Sequence, residues 1–146
     1  MRIVEVTRGR FPDWKRLRES VYEGLEESFH DEEMEILFSS SEAASFLGLS
    51  DNGEVIGMLE LSLRNFVDGC LGGPVGYVEG IYLTPDHRGQ GLGRELLEFA
   101  AEWCRSKGCR DMAADSELDN VNAQQFLAGN GFEETYRVVE FKKPLR

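Results

Sequence analysis

Between positions 88 and 94 the chain reads Arg-Gly-Gln-Gly-Leu-Gly-Arg, three glycines and two arginines in seven residues. The segment follows a strand pattern stopped by Pro85 and opens an amphipathic helix pattern near Gly91. A helix start leaves backbone N–H groups unpaired and carries a partial positive charge, so it attracts anions. Glycines remove the Cβ atoms that would keep a diphosphate from those N–H groups, and Arg88 and Arg94 add charge. The chemistry this supports is phosphate or diphosphate binding. The segment is not a Walker A loop, because no Gly-Lys-Ser/Thr follows. A dinucleotide fold places its glycine turn behind the first strand, whereas this one lies past mid-chain.

The elements that must position this turn follow from periodicity. Residues 2–7 alternate as a first strand. Residues 13–28 carry Trp14, Leu17, Val21, Leu25 and Ser28 at helical spacing, with Asp13 as an N-cap behind Pro12. A second short helix is expected over Asp31 to Phe38, with Met34, Leu37 and Phe38 inward. Residues 44–50 and 54–65 flank Asp51-Asn52-Gly53, a turn between two strands. Asn65 to Pro74 reads as a loop and Val75 to Thr84 as a strand, in which Gly80 marks a bulge or the close approach of a ligand. The helix from Gly91 shows Leu92, Leu96, Phe99, Ala100 and Trp103 on one stripe and ends at Lys107-Gly108. A short strand over 111–115, a helix over Asn120 to Gly129 and a final strand or strands over 132–142 complete the order β-α-α-β-β-β-α-β-α-β-β. This is an α/β (α+β) pattern in one domain, 1–146, predicting a mixed sheet with helices on both faces.

Composition narrows the function classes. The formal charge is −11, from 16 basic and 27 acidic residues. Nucleic acid binding depends on neutralising phosphates with Lys and Arg, so nucleic acid is not an expected partner. An acidic cleft suits a cationic small molecule; surplus carboxylates also serve solubility alone. No apolar run reaches the ~18 residues of a membrane span, and the N-terminus lacks a signal-peptide stretch. A cytoplasmic protein without membrane contact is expected. Cys70, Cys104 and Cys109 have no Cys-x-x-Cys spacing and His30 and His87 lie far apart, so no metal site is expected.

With Pro85 and His87 ahead of it, the glycine turn resembles the signature of the GNAT superfamily of N-acetyltransferases, Arg/Gln-x-x-Gly-x-Gly/Ala behind a bulged strand. The resemblance implies the GNAT fold, a mixed, mostly antiparallel sheet whose fourth and fifth strands splay apart. It implies acetyl-CoA as co-substrate, with the backbone of Ile81, Tyr82 and Leu83 along the pantetheine arm. Arg88, Gly89, Gln90, Gly91, Leu92, Gly93 and Arg94 would hold the pyrophosphate, and Asn120 would contact coenzyme A. Gly131-Phe132 matches the Gly-Phe that closes the following helix. A likeness to aminoglycoside 6′-N-acetyltransferases runs further. It is carried by Asp13-Trp14 with Leu17-Arg18, Pro74-Val75 leading into Glu79-Gly80-Ile81-Tyr82, Ala114-Asp115 before Asp119-Asn120, Gly131-Phe132-Glu133-Glu134-Thr135, and Val138-Val139. It implies transfer to the 6′-amine of a polycationic sugar antibiotic, and a homodimer by family analogy.

Beside that likeness, an amine must lose a proton before it attacks a thioester, and a carboxylate can accept it directly or through water. Glu79 lies in the bulged strand and Asp115 ends the neighbouring one, so both are expected to hold the amine, with Asp115 as the base. The alternative is that both are solvated strand-end carboxylates. Tyr22 and Phe66 match substrate-facing aromatics of the family; the alternatives are a core residue and a loop anchor. Two positions depart from the pattern. Leu127 stands where many members carry a Tyr that protonates the leaving thiolate, and Tyr136 where the aminoglycoside enzymes tend to carry an acid. Another acceptor amine (polyamine, amino sugar or peptide N-terminus) therefore stays open, as does an acetyl-CoA-binding module without catalysis.

Overall fold

Five strands, β1 (Arg2–Glu5), β2 (Ala43–Leu49), β3 (Val55–Arg64), β4 (Val75–Leu83) and β5 (Met112–Ala114), form one sheet in sequential order. The first four pair antiparallel and β5 joins β4 in parallel. The computed structural model describes all 146 residues, which pack as two compact units, Met1–Asp115 and Ser116–Arg146. The sheet lies wholly in the first unit.

Neighbouring strand residues point to opposite faces, and the sheet uses both. On one face Leu47, Leu49, Val55 and Met58 pack with Trp14 and Leu17 of α1 (Phe11–Val21) and Met34 of α2 (Glu27–Ser39). On the other, Phe46 meets Phe99 of α3 (Leu92–Ser106) edge to face, ring centroids 4.8 Å apart. Leu96, Leu97, Ala100 and Cys104 form the buried stripe of α3. Gly76 has no room for a Cβ, which would lie 2.1 Å from the Cys104 sulfur. Cys104 is thus a packing residue; burial pushes its thiol up to about 11. The expected layering, mixed sheet with helices on both faces, is observed.

Asp13 is not the N-cap expected of it: α1 starts at Phe11 behind Arg10, and Asp13 lies inside its first turn. Two further expectations need correction. The helix expected over 13–28 stops at Val21, because Gly24 takes a left-handed φ of 84° that no helix accommodates. Leu25 and Ser28 therefore leave that stripe, and α2 starts at Glu27 instead of Asp31. Lys15 ties the corner together by pairing with Glu27 at 2.7 Å and Asp31 at 2.8 Å. The second correction concerns 132–142, which contains neither strand nor helix. Alternating side chains alone do not make a strand; backbone partners must close the ladder, and Val138, Val139 and Phe141 stand exposed instead.

The second unit contains α4 (Val121–Gly129), capped by the Asn120 side chain, whose oxygen accepts the Ala123 N–H at 3.1 Å. Gly131, at φ 91°, closes the helix. No helix in the chain is long and apolar enough to cross a membrane.

Candidate active site

The bulge in β4 organises the first unit's chemistry. Glu60 of β3 faces Gly80, while Leu61 faces Val78, so Glu79 is the extra residue. On the α1 face Glu60 is only 3% exposed. A buried carboxylate must find donors, and α1 together with its C-cap residue Tyr22 supplies three from one stripe. Trp14 Nε1 donates to Glu60 Oε2 at 2.7 Å, Arg18 Nη1 donates to the same oxygen, and the Tyr22 hydroxyl donates to Oε1 at 2.8 Å. Arg18 also donates to Glu33 and, at 3.4 Å, to His30 Nδ1. No buried side-chain polar atom is left without a partner.

Tyr22 is half-buried, and its hydroxyl also reaches the Glu79 carbonyl at 3.2 Å. Gly80 makes this contact possible: a Cβ there would sit 2.3 Å from the Tyr22 oxygen. Burial, then Glu60, holds the Tyr22 pKa far above its ordinary value, so the hydroxyl stays a donor. Tyr22 therefore braces the bulge. Sequence reasoning missed Glu60, Arg18 and Trp14 as members of this network, although Trp14, Arg18 and Tyr22 recur every four residues through α1 and its C-cap.

Next to the bulge lies the acidic cluster. Glu79 accepts from Arg64 Nε at 3.0 Å and Arg64 Nη2 at 2.8 Å, and from the Ser62 hydroxyl. The Arg64 guanidinium carbon stands 3.4 Å from the Tyr77 ring centroid. The Tyr77 hydroxyl in turn donates to Asp115 Oδ2 at 2.7 Å. Burial and Asp115 push the Tyr77 pKa well above its usual value. The structure thus links Glu79 and Asp115 through Arg64 and Tyr77, two residues that sequence reasoning passed over. Phe66, in the adjoining loop, is 93% exposed and anchors nothing.

Strand β5 accompanies β4 only along Gly76–Val78, so beyond the bulge β4 pairs with β3 alone and its other edge has no strand partner. Thr84 N–H donates to the Ile56 carbonyl. By alternation Tyr82 faces β3, while Ile81 and Leu83 turn their backbone groups to the open edge. An extended ligand can pair there. Of the three residues expected along such a ligand, Tyr82 thus presents its backbone to β3 instead.

From this edge the chain passes through a 3-10 turn, Pro85–His87, into the glycine segment. Gly89 and Gly91 have φ of 76° and 82° with open space where a Cβ would go. Their need for glycine is thus left-handed backbone rather than lack of room. Gly91 is the N-cap of α3 and provides no side-chain cap, so the first N–H groups of the helix remain free for an anion. Arg88 folds back, Nε donating to the Leu83 carbonyl at 2.9 Å, and Arg94 pairs with Glu98 at 3.3 Å. Gln90 lies near the Asp86 carbonyl, 3.4 Å away.

Within the second unit, the Asn120 side-chain oxygen is the atom that caps α4. Leu127 is half-buried in α4 and Tyr136 is 49% exposed. No group of three His, Cys, Asp or Glu residues could hold a metal ion.

The acetyltransferase (GNAT) family model matches residues 13–132. The chain belongs to this family. It is 38% identical over 133 residues to aminoglycoside N(6′)-acetyltransferase type 1 of Stenotrophomonas maltophilia, covering 90% of this chain and 86% of that protein. It is 36% identical over 146 residues to the enzyme of the same name from Acinetobacter haemolyticus, covering 99% of each. Among solved structures it resembles the apo aminoglycoside 6′-N-acetyltransferase AAC(6′)-IG of Acinetobacter haemolyticus, with a TM-score of 0.92, 35% identity and 100% of both chains covered. It likewise resembles AAC(6′)-Iy in complex with the bisubstrate analogue CoA-S-monomethyl-acetylneamine, with a TM-score of 0.91, 32% identity, and 98% of this chain and 97% of that one covered.

Proposed function

We propose that this chain is an acetyl-CoA-dependent aminoglycoside 6′-N-acetyltransferase. The observation that carries the reading is the continuous path formed by the open β4 edge and the uncapped α3 start, with Glu79 and Asp115 at its other end. This arrangement fits coenzyme A: extended backbone for the pantetheine arm, free N–H groups for the pyrophosphate. Ile81 and Leu83 pair with the arm; the backbone of Gly89 to Arg94 holds the phosphates. Bound acetyl-CoA would supply the acetyl group as a thioester: as the amine nitrogen bonds to the carbonyl carbon the C–S bond would break, and coenzyme A would leave as a thiolate that takes its proton from water, since Leu127 has none to give.

At the acceptor end, Glu79 and Asp115 take the ammonium and orient it. Asp115, directly or through water, accepts the proton that frees the nitrogen lone pair. Tyr77 fixes the carboxylate that receives it. A backbone N–H on the open edge, that of Ile81 or Leu83, polarises the thioester carbonyl. Phe66, with its ring in solvent, is suited to cover a sugar. The reading takes 1–146 as one acetyltransferase domain, supported by a family match that runs through both units. The contact with coenzyme A implied for Asn120 is tested on its own by Asn120→Ala. A cationic acceptor and a homodimer follow from analogy with the relatives.

The test is thiol release from acetyl-CoA with kanamycin, tobramycin, spermidine and a short peptide. Turnover with both antibiotics is expected. Turnover of spermidine or the peptide alone would favour the second reading, another amine, which Tyr136 supports. Coenzyme A binding without turnover of any amine would contradict catalysis altogether.

A further inference from the structure

Both carboxylates assigned to the acceptor are already engaged by groups of the chain itself. A carboxylate oxygen accepts about two hydrogen bonds. Glu79 Oε2 takes Ser62 and Arg64 Nε, and Oε1 takes Arg64 Nη2. One accepting position remains on Glu79, at Oε1. Asp115 has Oδ2 occupied by Tyr77. Arg64 covers one face of the Tyr77 ring and is 42% exposed at its side chain. It is thus a cation paired with one of the two carboxylates and stacked on the tyrosine that holds the other.

We propose that Arg64 is a specificity-determining residue, which cancels one of the two carboxylate charges at the acceptor end so that the site grips one ammonium and disfavours a second beside it. The proposal rests on the reading of Glu79 and Asp115 as the acceptor site. Arg64 makes two donor contacts with Glu79 in the planar fork geometry that lysine lacks, so it both neutralises the carboxylate and leaves a single open direction on it. Without Arg64, Glu79 gains a full unpaired charge. A unit charge about 6 Å from a ligand ammonium, at an effective dielectric near 40, shifts affinity about tenfold. That gain grows with the number of ammonium groups nearby.

Calorimetric titration of the full chain with coenzyme A and either kanamycin or glucosamine, a polyamine and a monoamine sugar, tests this in the parent, Arg64→Ala and Arg64→Lys. In Arg64→Ala glucosamine, with one ammonium, is expected to bind about tenfold tighter, and kanamycin, with several, to gain by a clearly larger factor. Arg64→Lys, which restores the charge, is expected to return the ratio of the two affinities close to that of the parent. Equal changes for both sugars, weaker binding of kanamycin, or a Lys variant that behaves like Ala would each overturn the proposal. So would the absence of binding by either sugar in every variant. Binding that responds to Arg64 with no acetyl transfer would leave the proposal standing and defeat the enzymatic reading; transfer with no response to Arg64 would defeat the proposal alone.

Discussion

Glu60 and Glu79 approach each other across a bulge, yet their side chains do opposite work. Glu60 is sealed under α1 with a full set of donors. Glu79 keeps one accepting position and remains within reach of solvent, with 28% of its side chain exposed. Asp115 is exposed at the end of β5 and held by one hydrogen bond from Tyr77. Asp115→Asn preserves an oxygen for that bond while removing the proton acceptor. It is expected to lower kcat about a hundredfold or more with acetyl-CoA affinity unchanged; a parent-like kcat would exclude Asp115 as the base. At this scale the sequence was only partly legible. Glu79 and Asp115 stood out because a family pattern framed them. Glu60 did not, since alternation with Leu59 and Leu61 marks it as a residue of the polar face, and nothing local says that an α1 stripe covers that face. Arg64 was equally hidden: its partner lies fifteen positions away and meets it only through strand pairing.

At the scale of elements, the glycine turn and α3 were the most legible, because left-handed glycines and an apolar stripe are local signals. The corner between α1 and α2 was misread, since an apolar stripe through Leu25 outweighed a single Gly24. The bulge was legible as Gly80, but its reason was not: the glycine makes way for the Tyr22 hydroxyl of a helix distant in sequence. Gly80→Ala is accordingly expected to expel that hydroxyl and to destabilise the fold by about 1–3 kcal/mol, the usual range for overpacking. Adding Tyr22→Phe should restore part of the loss, because the nearest clash is with the oxygen. Denaturant midpoints of the single and double variants read this directly, and a Gly80→Ala protein as stable as the parent would contradict the bracing role of Tyr22.

For the molecule as a whole, the order of elements up to α4 follows the sequence pattern, whereas 132–142 shows that alternation without a backbone partner leaves no strand. The acidic composition, −11 overall, suits a polycationic acceptor, but Arg64 makes the local balance less negative than the total suggests. Stability should respond to alkaline pH. Cys104 is raised to about 11, Lys15 to about 12 through Asp31 and Glu27, and Tyr22 and Tyr77 above their ordinary values. Each group keeps its proton in the folded chain after the unfolded chain has lost it, so the stability they contribute is complete below about pH 8.5, the ordinary thiol pKa, and declines as pH rises through the folded values. A denaturant midpoint that is level up to about pH 8.5 and falls steadily from there to pH 11 is the expected result, and a flat profile would contradict it. The central claim is tested most directly by incubating the protein with acetyl-CoA and kanamycin and locating the acetyl group on the product by mass spectrometry and NMR. A single acetyl on the 6′-nitrogen is the expected result; an unmodified antibiotic, or an acetyl on any other nitrogen, would contradict it.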